Sequence, residues 1–329
     1  CERCQTDHSF LIRAVLPLQS LARLNMAVQK SKLLVSVVSP VYNNARHLSD
    51  LTREITSSLA GFNTEIILVD DGSPDHSWQV IRELAKHRQP RLKVRGVRLS
   101  RNFGQHAAIF AGLKHARGSY VFVLDADLQD NPAFMRAMLD KALEGFDIVH
   151  ARRTRQRMNF RRLVTKLVYR LLTLSSEIRL HATMGNFKLL SRRALDTALR
   201  FAGPQPLFEL MVDRAGYRAA SMDVERRNRP VDVSAYNLRD SLRYIGNLLV
   251  TYSSLLFRLF LFGGLLLIPV GLIGMGCGLY WSAVPYLVVA AALFNAGLIL
   301  LCAAIVGLYV RAQQMSTRGA PAFVVEEEV

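Results

Sequence analysis

Three apolar runs, each breaking off at polar or acidic residues, constrain this chain's fold more than anything else in it. Val121 to Leu124 stops at Asp125-Ala126-Asp127-Leu128-Gln129-Asp130, and Thr64 to Val69 stops at Asp70-Asp71-Gly72-Ser73. Leu33 to Pro40 runs into Val41-Tyr42-Asn43-Asn44. Runs of β-branched and aromatic residues bounded by turn formers read as buried strands. Helical spacing fills about 45–59 and 77–87, a further strand spans Leu92 to Leu99, and a helix follows Arg101-Asn102-Phe103-Gly104 as far as His115. Strands alternating with helices predict an α/β fold with a doubly wound, mostly parallel sheet, its strand ends converging on one polar edge. Asn131-Pro132 reads as the start of the next helix, because Asn caps free amides and Pro suits the first helical position. Residues 146–149 read as another strand.

Asp125 and Asp127 stand at i and i+2, so on a continuing strand they project to the same side. Together they suit one hard cation, Mg²⁺ or Mn²⁺, with substrate phosphates completing the octahedron and Gln129 adding a neutral oxygen. The implied ligand is a nucleoside diphosphate. An isolated Asp-x-Asp is more often an exposed turn after a core strand, and the two neighbouring acid-ended or polar-ended strands are what favour a site.

The chain has 329 residues, enough for a full core and a second part. Its net charge of +16 points to a polyanionic partner: nucleic acid, anionic lipid headgroups or phosphorylated substrates. It carries no zinc-finger, recognition-helix or RNA-binding signature, which argues against nucleic acid. Leu259 to Val310 contains no charged residue, over twice the roughly 20 positions needed to cross a bilayer, and Trp281 to Pro285 supplies a break. Two membrane spans are therefore predicted. Arg239, Arg243 and Arg258 precede the first and Arg311 and Arg318 follow the second, so both termini and the catalytic part are expected on the cytoplasmic side of the inner membrane. Basic amphipathic stretches over 160–172 and 237–252 read as surface-lying helices in contact with membrane lipids. Cys1 and Cys4 at the N-terminus, and Cys277 and Cys302 in apolar runs, give no disulfide framework or zinc site. Residues 1–32 read as an extension, with Met26 a candidate natural start and a short amphipathic interfacial helix the alternative, since Arg13, Pro17 and Arg23 break an apolar stretch that a secretory signal would keep uncharged. The expected division is 33–235 catalytic, 236–256 juxtamembrane helix, 257–311 two spans and 312–329 cytoplasmic tail.

Four motifs, in order, resemble one family: Ser39-Pro40-Val41-Tyr42-Asn43, Asp70 to Asp75, Arg101 to Gln105, and Asp125 to Asp130. They are similar to the GT-A family-two glycosyltransferases, and within them to the polyprenyl-phosphate branch of dolichyl-phosphate mannose synthases and bacterial undecaprenyl-phosphate glycosyltransferases. The resemblance implies an inverting, metal-dependent transfer of a sugar from a UDP- or GDP-linked donor to a polyprenyl phosphate. It implies catalytic roles for Asp125, Asp127 and Arg153, and a metal shell of Asp125, Asp127 and Gln129. Pro40, Tyr42, Asn43, Asp70, Asp71, Arg101 and Asn102 would cradle the nucleotide. Arg153, Arg157, Arg162, Ser234 and Tyr236 would meet the lipid phosphate, where a bidentate guanidinium suits phosphate oxygens. The register leaves Arg152 as an alternative to Arg153. Two positions depart from the family pattern: Asn186 stands where an Asp is usual, and Ala235 stands where a Lys is usual, leaving Arg226 or Arg239 to compensate. A processive polysaccharide synthase is disfavoured, because the only tryptophans are Trp78 and Trp281 and neither sits in a Gln-x-x-Arg-Trp segment. Another acceptor, or a non-catalytic membrane scaffold, remains the rival reading, and a homo-oligomer is left open.

Overall fold

The computed structural model describes residues 33–87, 89–153, 184–201, 208–225, 227 and 321–329, with isolated helical positions between 292 and 313. The N-terminal extension, both amphipathic helices and nearly all of the two expected spans lie outside these residues. No helix among the described residues is long and apolar enough to cross a membrane. The chain divides into two units, one of Cys1–Arg155, Met184–Asn228 and Phe323–Val329, the other of Gln156–Thr183 and Arg229–Ala322. The sheet belongs to the first.

Its strands are β1 (Leu34–Val41), β2 (Asn63–Asp70), β3 (Leu92–Leu99), β4 (Tyr120–Val123), β5 (Ile148–Arg153), β6 (Met184–Ser191), β7 (Ala219–Val224) and β8 (Val325–Glu328). The helices are α1 (Leu48–Ser58), α2 (Ser77–Lys86), α3 (Gln105–His115), α4 (Met135–Leu143), α5 (Arg192–Arg200) and α6 (Phe208–Arg214). The sheet order is β7-β5-β6-β4-β1-β2-β3-β8. Strands β4, β1, β2 and β3 form a parallel centre. This is the expected doubly wound arrangement, and its strand order reverses between β1 and β4. Such a reversal opens a crevice at the strand carboxyl ends, where ligands of open α/β sheets bind.

Both faces of the centre are covered, which is why β1 and β2 read as nearly continuous apolar runs rather than alternating ones. Val35, Val37, Ile66, Leu68 and Phe122 face a layer containing Leu51 and Ile55 of α1, Ile81 of α2 and Met138 and Leu139 of α4. Val38, Ile67, Val69, Val121 and Val123 face Ala108 and Ile109 of α3, Leu195 of α5 and Phe208 and Val212 of α6. Burying each such Leu, Ile or Val side chain stabilises the fold by roughly 1.5–3 kcal/mol. Pro40 is tolerated in the central β1 because β4 ends opposite Val38. Its missing N–H would point past the end of that neighbour.

Three features differ from the sequence reading. The Gly185 to Leu190 segment is strand β6, inserted antiparallel between β4 and β5. Strand β5 begins at Ile148 rather than 146. The last residues, expected as a free tail, form β8, which pairs antiparallel with β3. Its Glu326-Glu327-Glu328 run has low strand propensity, but an edge strand needs only one partner, and basic neighbours compensate. Arg98 lies 3.5 Å from Glu326, Trp78 Nε1 donates to Glu327 at 2.9 Å, and His115 Nε2 lies 3.1 Å from Glu328.

Candidate active site

The loops that follow β1 and β2 are stitched together by side chains of the second. Asp75 Oδ2 accepts from the Ala45 amide at 3.1 Å while its Oδ1 accepts from the Ser77 amide and hydroxyl, so one carboxylate starts both the 3-10 turn Ala45–His47 and helix α2. Burial alone would raise its pKa, yet these hydrogen bonds from Ser77 and Ala45 bring it below the ordinary value. The Asn43 amide donates to Ser73 Oγ at 3.1 Å, and Asn43 takes a left-handed φ of 55°, which Asn tolerates better than most residues. Tyr42 and Asn43 are left exposed at the strand end, while Pro40 is buried.

Asp70 and Asp71 differ from what a direct ligand contact requires of both. Asp71 is buried, and its two oxygens accept from the amides of Phe103 and Gly104 at 2.7 and 2.9 Å. It therefore shapes the Arg101 to Gly104 loop. Gly72 lets the two loops meet: a Cβ there would stand 2.7 Å from the backbone of Arg101 and Asn102, and its φ is 65°. Arg101 and Asn102 are exposed on that loop, with the Arg101 guanidinium 4.0 Å from the centre of the Phe103 ring. Asp70 is fully buried, accepts from the Ser73 amide at 3.1 Å through Oδ1, and has Arg98 Nε 3.6 Å from Oδ2. Burial pushes the pKa of both acids up, against the pull of their hydrogen bonds and of the neighbouring arginines.

Strand β4 stops at Val123, so Asp125 and Asp127 do not gain a shared face from strand alternation as the sequence predicts. They lie in the following turn, where Leu128 is held at φ 58°. A bulky residue in the left-handed region is a genuine outlier, and such residues gather at functional sites. Both acids are half-buried. Asp125 Oδ1 accepts from Gln105 Nε2 at 2.7 Å and from Asn186 Nδ2 at 3.1 Å. The Asn that replaces the family's Asp is thus a donor that orients Asp125, and Gln105, absent from the sequence-based site, is a second. Its position after Arg101-Asn102-Phe103-Gly104, at the start of α3, was the available signal. Asp127 accepts from the Gln129 amide at 3.1 Å and from Gln129 Nε2 at 2.5 Å. Gln129 is buried and turns its amide nitrogen, rather than its oxygen, to that carboxylate.

This donor set fits a hard cation. It offers two carboxylates at one loop, oriented mainly by neutral amides, and among the described residues no group of three or more His, Cys, Asp or Glu could hold a metal by itself. Two carboxylates with phosphate oxygens and water is the arrangement Mg²⁺ favours.

Arg153 is the last residue of β5, which runs parallel to β4 by way of the antiparallel β6, so its backbone lies at the same edge of the sheet as Asp125. The alternative, Arg152, is exposed and paired with Asp223 at 2.5 and 3.0 Å. Arg157, Arg162, Ser234, Tyr236, Arg226 and Arg239 lie outside the described residues.

Comparison with known proteins identifies the family. Residues 36–199 match the family model for glycosyl transferase family 2. An undecaprenyl-phosphate 4-deoxy-4-formamido-L-arabinose transferase of Klebsiella pneumoniae is 31% identical over 253 residues, covering 74% of each chain. A glycosyltransferase of Bacillus subtilis, YkcC, is 29% identical over 307 residues, covering 89% of this chain and 93% of that one. Among solved structures, glucosyl-3-phosphoglycerate synthase from Mycobacterium tuberculosis, in complex with Mn²⁺, UDP-glucose and phosphoglyceric acid, aligns with a TM-score of 0.48 at 18% identity, covering 69% of this chain and 80% of that one. With a relative of this identity covered over 74% of its length, and with the four motifs carried by one sheet, the chain belongs to glycosyl transferase family 2 and is a nucleotide-sugar-dependent glycosyltransferase.

Proposed function

We propose that this enzyme transfers a sugar, with inversion, from a nucleotide-diphosphate sugar to a polyprenyl phosphate at the cytoplasmic face of a membrane. The observation that carries the reading is the carboxyl edge of the parallel strands, where exposed Tyr42 and Asn43 follow β1, exposed Arg101 and Asn102 follow β3, and the half-buried pair Asp125 and Asp127 follows β4 beside Gln105 and Asn186. Asp125 and Asp127 would hold Mg²⁺ or Mn²⁺, which when bound neutralises charge developing on the departing diphosphate. In the transfer, an acceptor phosphate oxygen forms the new bond to the anomeric carbon as the bond from that carbon to the donor's diphosphate breaks, and the nucleoside diphosphate leaves with the electron pair.

A phosphate acceptor matches what the site offers in proton chemistry. The residue beside Asp125 is Asn186, which donates and cannot take a proton at neutral pH. A sugar hydroxyl would need a positioned base, whereas a phosphate monoester is largely ionised already. The Klebsiella relative's name refers to undecaprenyl phosphate, which supports the same acceptor class here. Arg153, ending β5 at this edge, is the residue we assign to the acceptor's phosphate.

The two-span reading is compatible with β8. The chain leaves the catalytic unit after Asn228 and is back in it by Phe323. Two crossings in between would return the chain to the side it left, consistent with β8 joining the same sheet.

The test uses full-length protein in membranes containing short-chain polyprenyl phosphate or the matching unphosphorylated polyprenol, with a panel of nucleotide sugars. Transfer is expected to the phosphate alone, to stop in EDTA and to return with Mg²⁺ or Mn²⁺. Equal transfer to both lipids would overturn the acceptor, and full activity in chelator would overturn the metal.

A further inference from the structure

We propose that Arg227 is a positioning residue for the acid loop, locking the Gln129 to Asn131 segment so that Asp127 is presented in one geometry. The proposal rests on reading Asp125 and Asp127 as the carboxylates that hold the donor's cation.

The loop after β4 has little regular structure of its own. Between Val123 and the 3-10 turn Pro132–Phe134 there is no helix or strand, and Leu128 occupies a costly backbone region. Asp127 is oriented by Gln129, so whatever fixes Gln129 fixes the carboxylate. Arg227 does this at two points. Its backbone N–H donates to the Gln129 carbonyl at 3.1 Å, and its Nη2 donates to Asn131 Oδ1, also at 3.1 Å. The same Asn131 oxygen accepts from the Ala133 amide and so starts the helical segment that leads into α4. Arg227 Nη1 lies 2.8 Å from both carboxylate oxygens of Glu54 on α1, which anchors the assembly to a helix packed in the core.

The burial pattern separates this role from simple fold stability. Arg227 and Glu54 side chains are 43% and 29% exposed. Exposed ion pairs contribute at most about 1 kcal/mol, so the pair is a weak device for holding the fold together. As a planar fork between a helix and a loop, it is an effective one for fixing direction. The residue also lies at the end of the catalytic unit, one position before Asn228, where the chain departs. The sequence reading offered Arg226 as a cation for the substrate. Its neighbour Arg227 pairs with Glu54 and Asn131 instead.

The experiment compares wild type with Arg227→Met, Arg227→Lys, Glu54→Gln and Asp127→Asn in the full chain. The first measurement is hydrogen exchange of the 125–132 peptide in metal-free protein, and the second is the Mn²⁺ concentration for half-maximal transfer. Arg227→Met should speed exchange in that peptide while leaving β1 and β2 peptides unchanged, and should raise the Mn²⁺ requirement about tenfold, the usual scale for residues that orient metal ligands. Glu54→Gln should shift both in the same direction by less, and Arg227→Lys should restore part of the loss. Unchanged exchange and unchanged Mn²⁺ dependence, with Asp127→Asn inactive, would overturn the clamp while leaving the proposed function standing. Full activity of Asp127→Asn would instead overturn the reading beneath it. Should Arg227→Met and Glu54→Gln both loosen the whole sheet, Arg227 serves the fold and the proposal fails.

Discussion

Strand β2 carries a buried carboxylate near each end, and the two are treated in opposite ways. Near the amino end, Glu65 Oε1 accepts from Ser36 Oγ at 2.5 Å and from the Arg117 amide at 2.6 Å, while Ser36 Oγ accepts from the Gly118 amide at 2.7 Å. At the carboxyl end, Asp70 Oδ2 is buried with no hydrogen-bond partner among the described residues, and burial raises the acid's pKa. The contrast extends across the sheet. On the amino edge Asp147 is gripped by Arg193 at 2.5 and 2.7 Å and by Ser191 at 2.7 Å, and the Arg193 guanidinium, more than its burial, sets its pKa below the ordinary value. On the carboxyl edge Asp71, like Asp70, is raised by burial. Both edges give their carboxylates partners, but at the carboxyl edge burial outweighs the hydrogen bonds and the neighbouring arginines, the kind of cost found at sites built to meet a ligand.

The largest effect that would sharpen this contrast is on activity at the carboxyl edge. Asp127→Asn keeps the shape and removes the charge, so transfer should fall about a thousandfold or more, the loss of roughly 4 kcal/mol of charge stabilisation at the transition state. The thermal midpoint should stay within a couple of degrees of wild type. A large drop in that midpoint would place Asp127 among the structural acids and break the comparison.

Ser36→Ala is the mirror experiment. It strands the Gly118 N–H and removes a hydrogen bond from a buried carboxylate, for a cost of about 2–4 kcal/mol in denaturant unfolding. Activity per folded molecule should be unchanged. If transfer falls while stability does not, the amino edge is not merely structural.

Much of this was legible in the sequence. Strand β3 falls on the residues its pattern predicts, and Asn131-Pro132 starts the following helical segment, because both signals are local. What escaped is what depends on pairing partners. Nothing in Gly185 to Leu190 says that it will slot antiparallel between β4 and β5, and nothing in Val325 to Glu328 says that three glutamates will line an edge strand against Arg98, Trp78 and His115. The acid pair was found from spacing, but its geometry was misread, since β4 ends early and Leu128 takes a conformation no sequence pattern announces. Gln105, Asn186 and Arg227 act through side chains 20, 61 and 96 positions away from their partners, contacts that only the fold creates.

Asp70→Asn probes the cost of that buried charge. It retains the acceptor for the Ser73 amide and removes the buried negative charge, so stability at neutral pH should change by no more than about 1 kcal/mol in either direction, the lost attraction of Arg98 offsetting the relieved burial. A donor KM raised about tenfold is the expected functional loss. A strongly destabilised variant would show that Asp70 belongs with Glu65 rather than with the site.

The smallest effect, and the one that tests both edges at once, lies in the pH dependence of stability. Asp147 has a folded pKa below its unfolded value of 3.8, so its contribution is fully present above pH 3.8 and is lost as pH falls through the lower, folded value. Asp70 and Asp71 have folded pKa values above 3.8, so the native state binds more protons than the unfolded state between 3.8 and those values. Their effect on stability is therefore a decline as pH rises through that window, with the full cost of the buried charges present above it. The two edges thus act in separate pH ranges with opposite slopes. Asp147→Asn should flatten the curve only below pH 3.8, and modestly, because Arg193 stands largely in solvent and the pair is screened. Asp70→Asn should flatten only the part above 3.8, leaving the remaining slope to Asp71. Since the sites share no partner, the double variant should show both changes added together. Denaturant midpoints measured from pH 2.5 to 7 decide it: an Asp147→Asn curve that changes above 3.8, or an Asp70→Asn curve that changes below it, would mean that the acids of the two edges are not the separate classes their surroundings make them.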